Sequence, residues 1–71
     1  MGITYKKLWK ILIDKEMNKT QLRNRAGVSS NVIAKLGKNE PVALESLVRI
    51  SEALDVDISE IISLEKTKKI V

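Results

Sequence analysis

Between Lys19 and Lys38 the chain reads KTQLRNRAGVSSNVIAKLGK, with five Lys or Arg side chains interleaved with amides and hydroxyls and no carboxylate. Side chains of these types donate hydrogen bonds and positive charge, so they suit the grip of an anion or a polar edge. Bond-breaking chemistry is poorly supplied. The 71 residues contain no His and no Cys, which removes the usual proton-transfer residue, the thiolate nucleophile and the commonest metal ligands. What remains for acid–base work is a Lys/Asp pairing, and no enzyme is expected. Asp55, Asp57 and Glu60 form the densest carboxylate group. An EF-hand loop starting at Asp55 would need Gly where Glu60 stands and Glu where Lys66 stands, so capping of a helix explains the group better than metal binding. No metal site, cofactor or small-molecule site is expected.

Charge is distributed unevenly. Residues 1–39 hold nine Lys/Arg against Asp14 and Glu16, a balance of +7, whereas residues 40–71 hold four against seven, a balance of −3. The basic half contains the Lys19–Lys38 stretch, which points to an anionic polymer as partner; a merely solvated basic face is the competing explanation. A 71-residue chain makes one domain, and apolar residues at 44% support a folded core built mainly from aliphatic side chains. The run Leu8 to Ile13 is short and interrupted by Lys10, far below the roughly 20 residues that span a bilayer. Lys6 and Lys7 ahead of it imitate a signal peptide, but Asp14, Lys15 and Glu16 stand where a cleavage site would be needed. Met1-Gly2 does not extend to a myristoylation motif, because Lys6 occupies the Ser/Thr position. A cytoplasmic protein is expected.

Five segments share one helix-start signal: an apolar residue, a cap, and an apolar residue four beyond the cap. In the first, Ile3 and Leu8 flank Thr4, and Leu8, Ile11, Leu12 and Lys15 follow at helical spacing. Trp9 borders that stripe as a packing residue, with a dimer contact or base stacking as the alternatives. In the second, Met17 and Leu22 flank Asn18, and Gln21 can complete a capping box. Gly27 ends this helix and Ser29 starts the next, with Val28 and Ile33 as staple, so that only a sharp turn separates the two. If Ile33 and Leu36 form the buried stripe of the third helix, Ser30 to Gly37, then Asn31, Ala34, Lys35 and Lys38 face outward. Lys38-Asn39-Glu40-Pro41 makes a loop. The fourth helix, from Leu44 to about Leu54, is weakly capped by Ala43. It shows a broad apolar face of Leu44, Leu47, Val48, Ile50, Ser51 and Leu54, with Glu45 and Arg49 paired outside. Asp57 and Glu60 as capping box, with Val56 and Ile61 as staple, predict a fifth short helix over 58–64. Residues 1–64 thus make the domain, and 65–71 a short basic tail in which Ile70 and Val71 could order in a dimer. Ile58, Ile61, Ile62 and Leu64 serve either the core or an interface.

The residues alone describe an all-α, compact five-helix domain with a hinged helix pair on its cationic half, sufficient for a nucleic-acid hypothesis. Leu22-Arg23-Asn24-Arg25-Ala26-Gly27-Val28-Ser29, followed by Ile33, Leu36, Leu47, Ile50, Ala53-Leu54 and Ile61, resembles the Cro/C1-type (XRE-like) helix-turn-helix regulators over about residues 5–64. The resemblance implies a lambda-repressor-like fold in which the third helix enters the major groove and dimers bind paired half-sites of operator DNA. It implies base-facing positions at Ser30, Asn31 and Lys35, and phosphate contacts from Lys19, Lys38 and Asn39. Thr20 sits beside Lys19 in a helix first turn with free N–H groups, and Val32 could meet a thymine methyl or cover the core edge. Three positions differ from the family pattern: Lys19 where Gln is common, Arg23 where a small Ala usually faces the third helix, and Gly37 where an acid is frequent. The expected function is a small DNA-binding repressor or regulator, homodimeric at least on DNA. The competing expectation is a protein-interaction module, antitoxin-like or scaffolding, built on the same fold.

Overall fold

The computed structural model describes residues 2–65. In chain order the elements are strand β1 (Gly2–Thr4), helices α1 (Lys6–Asp14), α2 (Lys19–Ala26), α3 (Ser30–Gly37) and α4 (Leu44–Leu54), a 3₁₀ turn (Ile58–Glu60) and strand β2 (Ser63–Glu65). The expected α2 cap forms in full: Asn18 Oδ1 accepts from the Gln21 N–H at 2.7 Å and Gln21 Oε1 accepts from the Asn18 N–H at 2.9 Å. Ser29 Oγ accepts from the Val32 N–H at 3.3 Å and starts α3. All four α-helices among the described residues end at a left-handed residue, Glu16, Gly27, Asn39 and Asp55. Following N–H groups then turn back onto helix carbonyls, as Met17 does to Leu12 at 2.9 Å and Glu40 to Lys35 at 2.9 Å. Only Gly27 among these carries no Cβ cost.

The core consists of Tyr5, Leu8, Leu12, Leu22, Ala26, Leu36, Leu47, Ile50, Leu54 and Ile61. Each of its fully buried Leu or Ile side chains contributes about 1.5–3 kcal/mol. The most extensive helix packing is α2 on α4. Leu36 is the one residue of α3 that is buried, so it anchors the helix while the opposite face stays in solvent. Ser51, buried on α4, donates its hydroxyl to the Val48 carbonyl at 2.8 Å and leaves no polar atom unpaired.

Four expectations need correction. The fold is mostly helical, not all-α with five helices: four α-helices are joined by a two-stranded antiparallel sheet, with Gly2 opposite Glu65, Ile3 opposite Leu64 and Thr4 opposite Ser63. The helix expected over 58–64 is a single 3₁₀ turn. Its capping box is present, with the Asp57 carboxylate accepting from Ser59 N–H at 3.0 Å and Glu60 from Asp57 N–H at 3.4 Å. A capping box satisfies only the first turn's donors; β-branched Ile58, Ile61 and Ile62 favour helix weakly, and strand pairing takes over at Ser63. Thr4 does not cap α1. The helix starts one residue later, and Thr4 Oγ1 accepts instead from Lys6 N–H at 3.3 Å. Finally, the apolar face of α4 is narrower than its composition implied, with Leu44 66% and Val48 36% exposed. Of the expected tail, Lys66 to Val71, including Ile70 and Val71, lies outside the described residues.

Candidate nucleic-acid interface

The left-handed turn at Gly27 (φ 70°) sets α3 across α2. Arg49 on α4 braces that turn, donating from Nη1 to the Gly27 carbonyl at 3.3 Å and from Nη2 to Glu45 Oε2 at 3.2 Å. This expected Glu45–Arg49 pair is exposed, so its main structural consequence is the tether to α2's end. With Leu36 inward, Ser30, Asn31, Ala34, Lys35 and Lys38 are exposed, as the helical period requires. Val32 is half-buried and packs at the core edge.

A groove of about 460 Å³ runs between α2 and α3, lined by Lys19, Thr20, Arg23, Ser30, Ile33, Ala34, Gly37 and Lys38. Lys19 and Thr20 from α2 are thereby brought to the same concavity as Ser30 from α3 and Lys38 just past its end. Asn31, Lys35 and Val32 do not line it; the first two occupy the exposed ridge beside it. No carboxylate is among the described residues that line the groove, and its cations gather without a negative partner in that lining.

Three side-chain arrangements were not legible at the level of single residues. Lys19 Nζ lies 4.7 Å from the centroid of the Trp9 ring, a cation–π contact that directs the ammonium toward the groove mouth beside Gly37. Trp9 is half-buried and packs against the core, as the sequence led one to expect. Arg23 donates from Nη1 to Ser30 Oγ at 2.9 Å and from Nη2 to Asn24 Oδ1 at 3.3 Å, which joins the two helices where the family pattern has a small residue. Asn39 holds a left-handed backbone (φ 58°), and its Oδ1 accepts from the Tyr5 N–H at 3.2 Å. The Tyr5 hydroxyl, fully buried, donates to the Glu40 carbonyl at 2.8 Å. Asn39 therefore ties the loop after α3 to the start of α1, and its amide oxygen is already engaged. The signal that could have found this was the isolated Tyr5, whose hydroxyl needs a hydrogen-bond partner once its ring is buried.

Asp57 and Tyr5 both lie outside the groove. The Ser59 hydrogen bond holds the Asp57 carboxyl below its ordinary range, and burial pushes the Tyr5 phenol up. Neither places an acid or base in the groove. No group of three or more potential metal ligands occurs among the described residues. No described helix is long and apolar enough to cross a membrane.

Comparison with known proteins agrees with this geometry. No curated protein matches the chain. Among solved structures, the transcriptional regulator VanUg (crystal form II) superposes with a TM-score of 0.87 at 47% sequence identity, covering 93% of this chain and 88% of that one. The family model describing the Cro/C1-type HTH DNA-binding domain matches residues 7–67, from α1 past the end of β2. A hinged α2–α3 pair with an exposed cationic second helix is the arrangement that this match covers, and the chain belongs to the Cro/C1-type helix-turn-helix DNA-binding family.

Proposed function

We propose that this protein is a small sequence-specific regulator of transcription that reads the major groove of double-stranded DNA with α3 and represses by occupying its operator. The observation that carries this is the exposure of Asn31 and Lys35 on α3 beside a groove whose described lining includes Lys19, Arg23 and Lys38 and no carboxylate. Its likeness to a transcriptional regulator over most of both chains supports the regulatory role. Lys19, Thr20, Lys38 and Asn39 hold phosphates; counterion release there supplies affinity and register without sequence information. Asn31 can pair with adenine N6/N7 and Lys35 can donate to guanine O6/N7, while Ser30 and the exposed edge of Val32 read neighbouring positions. For Asn39 the grip comes from its amide nitrogen or backbone, because its oxygen is bonded to Tyr5. The protein binds as a cytoplasmic homodimer, and two half-sites lie about 34 Å apart or at a multiple of that spacing.

Selection from fragmented genomic DNA, followed by footprinting, tests the proposal. The expected result is one or a few protected sites with paired half-sites. Failure to enrich any fragment at physiological salt would reject DNA reading in favour of a protein-interaction module whose cationic face meets an acidic partner. Sedimentation with and without the recovered site tests the dimer; a monomer in both conditions would reject it.

A further inference from the structure

We infer that Arg23 decides which hydrogen-bonding partner Ser30 can take on DNA, and so acts as a positioning and specificity-determining residue from outside the reading helix. This rests on the DNA-reading proposal above. Arg23 stands on α2 and Ser30 is the first residue of α3, yet the Arg23 Nη1 to Ser30 Oγ distance is 2.9 Å. A second point fixes the guanidinium, since Nη2 donates to Asn24 Oδ1 at 3.3 Å. Held at both nitrogens, its planar fork is restricted in orientation.

The consequence follows from donor–acceptor inventory. A serine hydroxyl has one O–H and two lone pairs, and taken alone it serves as donor or acceptor to any base edge. Guanidinium has donors only, so in this pair the Ser30 oxygen must be the acceptor. One lone pair is occupied, and the adjacent positive charge repels a second approaching N–H. What Ser30 still offers outward is its O–H. It is exposed and lines the groove mouth, so that donor is available to a ligand. The acceptors in the major groove are purine N7, guanine O6 and thymine O4, whereas the amino groups of adenine and cytosine are donors and are refused. Arg23 thus converts an ambivalent hydroxyl into a selective donor and holds the first turn of α3 against α2.

The test uses the full chain and the selected operator with each half-site base pair varied in turn. Binding is measured by anisotropy for the parent protein, Arg23→Met, Arg23→Lys, Ser30→Ala and the Arg23→Met/Ser30→Ala double variant. At one base position the parent should prefer an acceptor edge. Arg23→Met and Ser30→Ala should each lose that preference by about fivefold or more, and the double variant should lose no more than either alone, because coupled contacts are not additive. Other positions should keep their preferences, which a general loosening of the fold would not allow. In the free protein, Arg23 guanidinium protons should exchange slowly and become fast in Ser30→Ala. The inference is overturned if Arg23→Met keeps the preference, if it weakens all sequences equally, or if the two losses multiply. Should Arg23→Met fail to fold by circular dichroism, Arg23→Ala with Ser30→Ala carries the same comparison, whereas Arg23→Lys, which still has donors only, should keep the preference if its ammonium reaches Ser30. A parent protein with no preferred DNA would overturn the DNA-reading proposal itself, whereas a selective parent with an indifferent Arg23→Met overturns only the role of Arg23.

Discussion

Replacing Lys19 by Ala separates its observed contact with Trp9 from its proposed contact with phosphate. In the free protein Nζ sits 4.7 Å from the Trp9 centroid on an exposed part of the surface. A cation–π contact there contributes about 0.5–1 kcal/mol. For a domain of this size each kcal/mol moves the melting temperature by about 4–8 °C, so Lys19→Ala should lower it by about 2–8 °C. On DNA the expected loss has a different signature. One phosphate contact contributes about 0.9 to the slope of log K against log salt, so between 50 and 200 mM each Lys19 is worth about three- to fourfold in the affinity change. A dimer should therefore lose about 1.8 in slope, equally on operator and random DNA. Trp9→Leu provides the control: it removes the ring but keeps the charge, so stability should fall while the slope stays. Trp9 is the single tryptophan, and its emission should change on binding as the ammonium turns from ring to phosphate. Anisotropy titrations at four or five salt concentrations measure the slope. An unchanged slope in Lys19→Ala would refute phosphate contact, and an unchanged melting temperature would refute a stabilising role for the ring contact.

Three further outcomes are expected. Asn31→Ala should relax sequence choice at one base position by about 1–3 kcal/mol, checked on operator variants; equal loss on specific and random DNA would count against base reading. Tyr5→Phe removes the 2.8 Å bond to the Glu40 carbonyl and should cost about 0.5–3 kcal/mol, depending on whether water reaches that oxygen, as chemical denaturation would measure. Burial raises the Tyr5 pKa, so its contribution is full below the unfolded value of about 10 and disappears as pH rises through the folded value. Parent protein should therefore lose alkaline stability that Tyr5→Phe does not. At the other end of the scale, the depressed Asp57 pKa gives a contribution present above the unfolded value of about 3.9 and lost as pH falls through the lower folded one. Carboxyl chemical shifts that titrate Asp57 at or above its ordinary value would contradict the Ser59 bond.

Local signals were legible wherever the physics is local. Asn18 with Gln21, Gly27, and Ser29 each serve or require backbone groups within a few residues, so their roles in starting and ending α2 and α3 followed from spacing. Helix bounds at Ser30–Gly37 and Leu44–Leu54 followed in the same way. The fifth start signal was equally local and equally present, but it could not say how far the helix would run. That depended on Gly2–Thr4, some sixty residues earlier, offering a strand partner. A three-residue strand carries too little alternation to be recognised alone.

The candidate site divides along the same line. Periodicity alone determined that Asn31 and Lys35 share an outward face while Leu36 points inward, because a helix fixes the direction of its side chains relative to one another. Composition determined that this face would be cationic and free of carboxylates. Which long side chains converge was decided only by the tertiary structure. Arg23 reaches Ser30, Lys19 reaches Trp9, and Asn39 reaches Tyr5 because separate elements are brought within 2.9–4.7 Å of contact. Lys and Arg have many rotamers of similar energy, and a neighbour from another element selects among them. The sequence thus determined which groups this protein possesses and which helix face presents them; packing determined which of those groups are held by a residue of another segment before any DNA arrives.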